Sequence, residues 1–327
     1  MTDLSTVKGT TKRAYLSYLP KGAGLIWVLV LLCVIAAILS PAFLNPANIT
    51  NVLRQIALFG IVSIGMTFVI LTKGIDLSIG SILGVCAVST ALLLTSGMSV
   101  PLTIIAVLLI GILMGAVNGI GITIGGVPPF IMTLGMMVMG RGLALTLANG
   151  QPIGLGERAA DFMWLGRGFA LGLPVPVWIF LVVAAVAIFT LRYTSYGRQI
   201  YAVGSNEEAA RLSGINVKAI VFSVYVISGL LASLTALIFV SRLTVGEPTA
   251  GTGIELEAIA ITVIGGTSLF GGEGGILGTM IGAAILAVLA NIMNLVGVSP
   301  FTQQIVKGAI IVGAVLYEMM RKRKKSS

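Results

Sequence analysis

The chain has 327 residues, of which 57% are hydrophobic and only 9% are charged, and it contains no histidine. Soluble domains are about one quarter charged, so this composition excludes a water-soluble surface, and the lack of histidine removes the commonest general base and metal ligand. The formal net charge of +9 resides in the tails and one interior loop, which indicates topology signals and not a nucleic-acid surface.

Ten apolar stretches follow one another along the chain, separated by short breaks. A hydrocarbon core of about 30 Å needs about 20 apolar residues per helix, so we predict an all-α polytopic membrane protein with ten transmembrane helices. The predicted spans are residues 24–40, 51–72, 76–96, 101–124, 129–148, 175–192, 218–240, 255–270, 274–295 and 301–319. Cys33 and Cys86 lie inside two of them, which indicates packing and neither a disulfide framework nor a metal cluster. Residues 24–319 form a single transmembrane domain between tails at 1–23 and 320–327.

The distribution of basic residues predicts the orientation of the spans. The N-terminal tail has four basic residues and one acidic residue, and the C-terminal tail has five basic residues from Arg321 to Lys325. Lys and Arg accumulate on the cytoplasmic side, so both tails are predicted to be cytoplasmic and the number of spans to be even. Loop 193–217 is then predicted to lie in the cytoplasm, and segment 149–174 on the opposite side of the membrane.

Two short matches relate the halves of the chain. The matched pairs are residues 74–77 with 253–256 and residues 126–130 with 297–301. The members of each pair lie five spans apart, an odd number, so spans 2–5 and 7–10 would form an inverted repeat with the transport pathway between them. A competing alignment of residues 69–84 with 263–278 would instead make the repeat parallel.

Acidic residues near the starts of two spans have either a capping or a functional role. Asp76 follows a polar break at residues 72–74, and a carboxylate at membrane depth costs about 2.5–3.5 kcal/mol on insertion scales. We favour Asp76 as a cap of the third span, next to the positive end of the helix, over direct contact with substrate. Glu255 and Glu257 allow the same interpretations at span eight, and Glu247 precedes them in a loop where a rim charge steers docking of a partner.

The clearest motif outside the spans lies in the predicted cytoplasmic loop. Residues 204–217 read Gly-Ser-Asn-Glu-Glu-Ala-Ala-Arg-Leu-Ser-Gly-Ile-Asn-Val. The spacing predicts a short helix in which Ser205 and Glu208 form a capping box. Glu207 and Arg211 are expected to form an ion pair, and Gly214 suits the position just after the helix.

Such a short helix is expected to dock onto a partner. Eight helical residues cover only about 12 Å, and isolated helices below about 12 residues are marginal in water. Ala209 and Ala210 let another surface approach closely. The functional interpretation is a coupling helix that transmits a partner's movement into spans six and seven, and the alternative is a solvated connector.

Motifs along nearly the whole chain resemble the ribose-type permeases of bacterial ATP-binding-cassette importers. They are Gly65-Met66-Thr67, Ile70-Leu71-Thr72, Gly74-Ile75-Asp76-Leu77-Ser78, Gly80-Ser81, Gly204-Ser205-Asn206, Ala209-Ala210, Ser213-Gly214-Ile215, Pro248-Thr249-Ala250-Gly251-Thr252-Gly253 and Gly265-Gly266-Thr267-Ser268-Leu269. The resemblance runs from about residue 40 to residue 315. It implies import of a monosaccharide, which is a pentose, a hexose or a related polyol.

The resemblance also implies partners and a set of site residues. The partners are a cytoplasmic ATPase, a periplasmic sugar-binding protein, a second permease chain (identical or paralogous) and membrane lipid. ATP and Mg²⁺ would be held by the ATPase, because this chain has no P-loop, so neither a cofactor nor a catalytic site is expected here. The ATPase-coupling residues would be Gly204, Ser205, Asn206, Glu207, Glu208, Ala209, Ala210, Arg211 and Gly214, and the motif and cap residues would be Gly74, Asp76, Ser78, Gly80 and Glu255.

Six polar residues in or beside the spans are candidates for a sugar pathway: Asn118, Asn291, Asn294, Thr302, Gln303 and Gln304. Amides and hydroxyls suffice for such a pathway if a separate binding protein selects the sugar. The alternative for each residue is hydrogen bonding between helices, the commoner use of such side chains in membranes.

A carrier driven by an ion gradient is the competing function. Such a carrier is expected to place ionisable groups in the middle of its spans. Here the acidic residues cluster near the ends of spans, and Lys307 and Arg141 are the exceptions. This distribution favours the ATP-driven permease.

Overall fold

The computed structural model describes residues 23–326, so the charges predicted to orient the N-terminal tail lie outside the described residues. In that range the α-helices are α1 (Ala23–Leu39), α2 (Pro46–Leu71), α3 (Ile79–Thr95), α4 (Val100–Thr123), α5 (Pro129–Leu147), α6 (Ala159–Phe162), α7 (Trp164–Arg167), α8 (Val175–Tyr193), α9 (Ser195–Ser205), α10 (Glu207–Leu212), α11 (Val217–Leu243), α12 (Ile254–Ile264), α13 (Ile276–Leu295) and α14 (Pro300–Ser326). The short strands are β1 (Ile153–Gly154), β2 (Phe169–Ala170), β3 (Leu173–Pro174) and β4 (Val245–Gly246).

Helices of membrane-spanning length dominate the chain. Six of the described helices, α2, α4, α5, α8, α11 and α13, are long and apolar enough to cross a membrane. This confirms the prediction of an all-α polytopic membrane protein. The remaining predicted spans also coincide with helices, but α1 and α3 have 17 residues each and α12 has only 11. The predicted eighth span, 255–270, therefore ends as a helix at Ile264, where the glycine pair Gly265-Gly266 follows.

Local sequence explains where several helices begin. Proline occupies the first position of α2, α5 and α14, where its missing N–H costs nothing and its fixed φ angle suits the helix. Asn45 caps α2 by accepting a hydrogen bond from the N–H of Ala47 at 2.9 Å. α14 continues to Ser326, past residue 319 where the tenth span was predicted to end.

α2 and α11 form the centre of the bundle. Most of their side chains are buried, including Ile64 and Met66 on α2 and Tyr225 and Leu237 on α11. α3 is also buried over most of its length, whereas α4 buries only one stripe. On α4 the buried residues are Thr103, Val107, Gly111, Gly115, Asn118 and Gly119, and its outward-facing residues are large and apolar, as a lipid-facing surface requires.

The halves of the chain exchange their central helices. α2, from the first half, packs against α12 and α13 of the second half, whereas α11, from the second half, packs against α3 and α4 of the first. Glycines allow the closest of these contacts. A Cβ added at Gly229 of α11 would lie 3.0 Å from the Cα of Gly115 in α4, so these two helices touch through their backbones.

Two small strand pairs close the end of the bundle at the N-terminus of α2 and the C-terminus of α11. β1 pairs antiparallel with β4, with Ile153 opposite Gly246, and β2 pairs with β3 in a hairpin. The first pair ties the segment after α5 to the segment that leads into α12. The opposite end of the bundle carries α9 and α10.

Candidate functional site

The predicted coupling segment forms two short helices. α9 ends at Ser205, and Asn206 caps α10 by accepting a hydrogen bond from the N–H of Ala209 at 3.0 Å. The capping box predicted for Ser205 and Glu208 is therefore wrong by one residue, because Ser205 still belongs to α9. Asn206 has an extended backbone, which frees its side chain for the cap.

The side chains of α10 leave one polar surface exposed. Arg211 pairs with Glu208 at 2.7 Å, so the predicted pairing with Glu207 is also wrong, and Glu207 stays exposed. The hydrogen bond with Glu208 raises the pKa of Arg211 above its ordinary value. Gly214 follows the helix with a φ of 81°, as predicted for a left-handed stop.

α10 is attached to the bundle through its inner face. Ala210 is 4% exposed, whereas Leu212 is 80% exposed on the opposite side. Glu207, Glu208, Arg211 and Leu212 thus point away from the membrane domain as a small charged surface with an apolar centre. A six-residue helix can transmit a partner's movement to the bundle only if it is rigidly attached to the segments beneath it.

A contact between three backbones, which we call the glycine joint, lies directly behind α10. It consists of Leu71 at the end of α2, Gly204 at the end of α9, and Gly271 and Gly272 in the loop between α12 and α13. The N–H of Gly272 donates to the carbonyl of Leu71 at 3.0 Å. A Cβ at Gly204 would overlap that same carbonyl and lie 2.6 Å from the Gly272 nitrogen. No side chain larger than hydrogen fits there.

Two side chains reinforce the glycine joint. The Lys73 ammonium donates to the carbonyl of Ser205 at 3.3 Å, and the Tyr201 hydroxyl donates to the carbonyl of Gly274 at 2.9 Å. Burial raises the pKa of the Tyr201 hydroxyl, so it remains a donor. The end of α9 is thereby fixed to both the first-half and the second-half segment at this end of the bundle.

The break between α2 and α3, residues 72–78, carries the buried Asp76. Its carboxylate accepts hydrogen bonds from the N–H of Ser78 at 2.9 Å and from two hydroxyls, Ser78 at 2.6 Å and Ser228 of α11 at 2.7 Å. Asn118 of α4 donates to Ser78 at 2.8 Å. Asp76 lies beside the positive end of α3 as predicted, but its hydrogen bonds go to Ser78, the residue before the helix, and to Ser228 of α11.

The break before α12, residues 244–253, runs into the bundle from the other end. It follows α3 back toward its start, because Gly246 packs against Ala91 and the carbonyl of Gly251 lies against Gly80. The stretch of α3 from Gly80 to Ala91 is about 17 Å long, so the break reaches about that far into the bundle. Arg141 of α5 holds the segment by donating to the carbonyls of Pro248 at 2.6 Å and Ala250 at 3.0 Å.

The N-terminal ends of α3 and α12 consequently lie side by side inside the bundle. Gly80 in the first turn of α3 contacts a carboxylate oxygen of Glu255 in the first turn of α12. Glu255 also accepts a hydrogen bond from the N–H of Gly253 at 3.2 Å. The positive ends of two short helices thus meet near two carboxylates, Asp76 and Glu255, which suits the partial charges of helix termini.

The remaining candidate acids have partners of their own. Glu257 pairs with Lys307 of α14, so one of the two mid-span cations has a partner in α12. Glu247 accepts hydrogen bonds from the N–H and hydroxyl of Thr249. Arg141, the other mid-span cation, binds carbonyl groups as described.

The six pathway candidates do not come together in one place. Asn118 belongs to the buried group around Asp76. Asn291 exchanges hydrogen bonds with Asn48 of α2, and Gln303 donates to Asn294 at 2.8 Å. Ser299 caps the start of α14 by accepting a hydrogen bond from the N–H of Thr302 at 3.2 Å, and the two hydroxyls also form a hydrogen bond; Gln304 is exposed. Their observed contacts are hydrogen bonds within and between helices.

A cavity of about 390 Å³ opens between α2, α3, α11 and the start of α12. Its polar lining comes from Gln55, Thr235, Arg242, Thr252 and Glu257, and its aromatic lining comes from Phe59 and Phe239. No pathway candidate among the described residues lines it. Sequence reasoning missed this set because its members come from four distant segments and no short motif joins them.

The metal-ligating residues do not cluster. Within residues 23–326, no group of three or more His, Cys, Asp or Glu side chains is placed to hold a metal ion. Cys33 and Cys86 are free thiols.

The chain is similar to known permease proteins over most of its length. The family described as the permease component of the branched-chain amino acid transport system matches residues 48–315. The ribose import permease protein RbsC of Escherichia coli (strain K12) is 45% identical and covers 96% of this chain and 98% of its own length. RbsC of Bacillus subtilis (strain 168) is 47% identical, with coverage of 91% and 92%. The xylose transport system permease protein XylH of E. coli (strain K12) is 37% identical, with coverage of 86% and 87%. No solved structure matches the chain.

Proposed function

The chain belongs to this permease family and, within it, to the ribose/xylose-type permeases of bacterial ATP-binding-cassette importers. On that premise we propose that it carries a monosaccharide across the inner membrane by alternating access, driven by ATPase subunits that act on α10. The observation that carries the mechanism is the glycine joint, which fixes α9 and α10 to both halves of the bundle. Ribose is the first sugar to test, because the ribose permeases are the more similar relatives.

The proposed topology has ten spans with both termini in the cytoplasm. The exchange of α2 and α11 between the halves supports an inverted repeat of spans 2–5 and 7–10. Each of these two helices packs on the corresponding pair in the other half: α2 on α12 and α13, and α11 on α3 and α4. The paired breaks support it as well. One break enters the bundle from the end that carries α10 and the other from the opposite end, as an inverted repeat requires.

Movement of α10 would be transmitted through the glycine joint. A partner that binds two arrangements of the bundle with different affinities shifts their populations, and nothing more is required of it. A push on α10 moves Gly204 and Leu71 together, because the backbones touch without an intervening side chain. Leu71 is one residue from the break that holds Asp76, so the push reaches the place where α3 and α12 meet.

The sugar would pass between the halves through the cavity beside Phe59 and Phe239. An aromatic wall with amide, hydroxyl and charged groups suits a polar ring with apolar faces. Weak binding is sufficient there, because a separate binding protein would select the sugar. As a second proposal, the six polar residues predicted from the sequence would make polar contacts with the sugar elsewhere along its route.

The proposal includes partners that supply the energy and the substrate. They are a cytoplasmic ATPase that holds ATP and Mg²⁺, a periplasmic sugar-binding protein, and a second permease chain, either identical or a paralogue. The exposed charges of α10 would meet the ATPase. The opposite end of the bundle, with its strand pairs, would face the binding protein.

Affinity purification from gently solubilised membranes tests the coupling assignment. We expect a P-loop ATPase to co-purify with the tagged protein and to be lost when residues 206–212 are replaced by a glycine-rich segment. Glu207→Lys is expected to insert normally but to abolish sugar uptake and loosen ATPase docking. Glu157→Lys, an exposed charge reversal at the other end of the bundle, is the matched control.

Two results would contradict the proposal. Normal uptake by Glu207→Lys at normal ATPase stoichiometry would show that α10 is only a connector. Absence of an ATPase from both preparations, together with gradient-driven sugar uptake by the purified chain in liposomes, would establish the secondary carrier instead.

A further inference from the structure

Three arginines from distant parts of the sequence meet at the end of the bundle opposite α10. We call them the arginine cluster: Arg54 of α2, Arg167 of α7 and Arg242 of α11. Arg54 donates to the carbonyl of Arg167 at 2.9 Å, and Arg167 donates to the carbonyl of Arg242 at 2.6 Å. The guanidinium of Arg54 also stacks on the ring of Phe169, 5.1 Å from its centroid.

Like charges stand close together in the cluster. Arg54 is close enough to repel both Arg167 and Arg242. None of the three forms an ion pair with an acid in the described part of the chain. Glu257, which lines the same cavity as Arg242, is paired with Lys307. The Nε of Arg54 is buried and has no hydrogen-bond partner, which costs free energy unless an acceptor reaches it.

An apolar groove begins where the arginine cluster ends. It has a volume of about 470 Å³ and is lined by apolar and aromatic side chains, among them Trp164, Trp178, Val182 and Leu234. Trp164 and Arg167 are the two ends of α7, so groove and cluster are one helical turn apart, about 5 Å. The indole N–H of Trp178 donates to the carbonyl of Ala170 at 2.8 Å, which leaves only its ring facing the groove.

The groove opens to the lipid-facing side of α8. Val182 is 60% exposed and is followed along the same face by Val186 and Phe189, both also exposed. Trp164 and Leu171 are exposed at the end of the bundle, where aromatic and apolar side chains mark the level of lipid headgroups. A molecule in this groove would therefore have its apolar part along α8 and its polar part at the arginines.

We propose that the arginine cluster and the adjoining groove bind one anionic phospholipid. The phosphate accepts hydrogen bonds from Arg54, Arg167 and Arg242, and an acyl chain lies between Trp164, Trp178 and Val182. Charge complementarity selects this occupant, because a zwitterionic lipid would bring a cationic headgroup next to three guanidinium groups, whereas an anionic lipid brings only its phosphate charge. The site would fix the α7 segment to α2 and α11 at the membrane surface.

Tryptophan quenching tests the proposal directly. The three tryptophans are Trp27, Trp164 and Trp178, so Trp27→Phe leaves only the two in the groove as reporters. In phosphatidylcholine nanodiscs we add phosphatidylglycerol brominated in its acyl chains. We expect it to quench at much lower mole fractions than brominated phosphatidylcholine does.

Two variants separate the parts of the site. Arg167→Gln combined with Arg242→Gln is expected to reduce the preference for phosphatidylglycerol roughly thirtyfold, from about one kilocalorie per basic residue near an anionic lipid. Arg192→Gln combined with Arg198→Gln, near α9, is the matched control and should retain the preference. Val182→Phe fills the groove and is expected to lower quenching while all three arginines remain.

Each contrary result overturns the proposal. Equal quenching by both lipids removes the charge argument, and an unchanged preference in the arginine variant removes the cluster. Unchanged quenching in Val182→Phe would mean that a phosphate group binds without its chain in the groove. Loss of sugar-binding-protein capture by the arginine variant, with lipid preference intact, would make the cluster a protein-docking surface.

Discussion

The α10 helix and the glycine joint behind it are adjacent in space but are built in opposite ways. α10 is specified by its side chains: an asparagine cap, an exposed ion pair and a glycine stop. The joint is specified by the lack of side chains, since Gly204 and Gly272 bring their backbones against Leu71. Contact with a partner needs exposed, adaptable groups, whereas transmission of a movement needs groups that cannot be compressed.

This difference between α10 and the glycine joint predicts where the protein tolerates substitution. Exposed side chains change little when they are replaced, because water and neighbouring groups adapt. A backbone contact cannot adapt, because any added atom must displace an entire segment. Substitutions at the joint are therefore expected to have the largest effects and substitutions on the surface of α10 the smallest.

Gly204→Val is expected to have the largest effect. The added carbons would overlap the Leu71 carbonyl and the Gly272 nitrogen, and overpacking typically costs about 1–3 kcal/mol, occasionally more. Uptake in proteoliposomes with the partner subunits should be lost. Gly135→Val on α5 is the matched control, because a Cβ there meets nothing within 4 Å; equal uptake by both variants would refute a tight joint.

Asp76→Ala is expected to destabilise the protein by about 3 kcal/mol. The change leaves the Ser78 and Ser228 hydroxyls without their acceptor inside the bundle. Removal of one partner from a buried, charged hydrogen-bonded group costs about that much. Thermal unfolding in detergent measures the effect. Ser228→Ala, which removes one of the three hydrogen bonds, should cost about 1 kcal/mol. An Asp76→Ala protein that unfolds at the wild-type temperature would show that this group contributes nothing.

Gly272→Ala is expected to weaken coupling without unfolding the protein. Gly272 has a φ of 71°, which costs about 1–2 kcal/mol for other residues, and the new Cβ would overlap Ser205, whose nitrogen and Cα would lie 2.8 and 2.9 Å away. The measured quantity is ATP hydrolysed per sugar imported, which should rise. Gly275→Ala is the control, since its Cβ would meet only the Tyr201 hydroxyl at 3.9 Å; the same ratio in both variants would argue against the joint.

Arg211→Gln is expected to leave the unfolding temperature unchanged. Its pair with Glu208 is exposed on both sides, and such pairs contribute little. In the same measurement, Asp76→Ala should lower the unfolding temperature clearly. A clear loss of stability in Arg211→Gln would mean that the surface of α10 supports the fold as well as the contact with the partner.

Much of the architecture follows from patterns that a single sequence contains. Apolar stretches predicted the helices, proline and asparagine marked several starts, and Gly214 marked the end of α10. The short α12 was not foreseen as a helix of 11 residues, because apolar residues continue past Ile264 and only the glycines after it end the helix. The cap of α10 was misplaced because serine and asparagine are nearly equal as caps, and α9 extends through Ser205.

The groups that hold the bundle together were less predictable. Asp76 was singled out, but its partner Ser228 lies 152 residues away, and serines are common throughout the spans. The arginine cluster joins residues separated by 113 and 75 positions, and no local pattern links them. Such contacts depend on how helices pack, which a sequence read in short windows does not contain.

A reversible crosslink across the glycine joint tests the central claim most directly. The place of a Cβ at Gly275 lies 3.9 Å from the Tyr201 hydroxyl, so Tyr201→Cys with Gly275→Cys can be joined by a short bifunctional methanethiosulfonate reagent once Cys33 and Cys86 are replaced by alanine. If α9 and the loop before α13 move as one body, uptake by the crosslinked variant will be the same before and after a reducing agent releases the crosslink. If crosslinking stops uptake and reduction restores it, the joint slides during transport and the account is wrong.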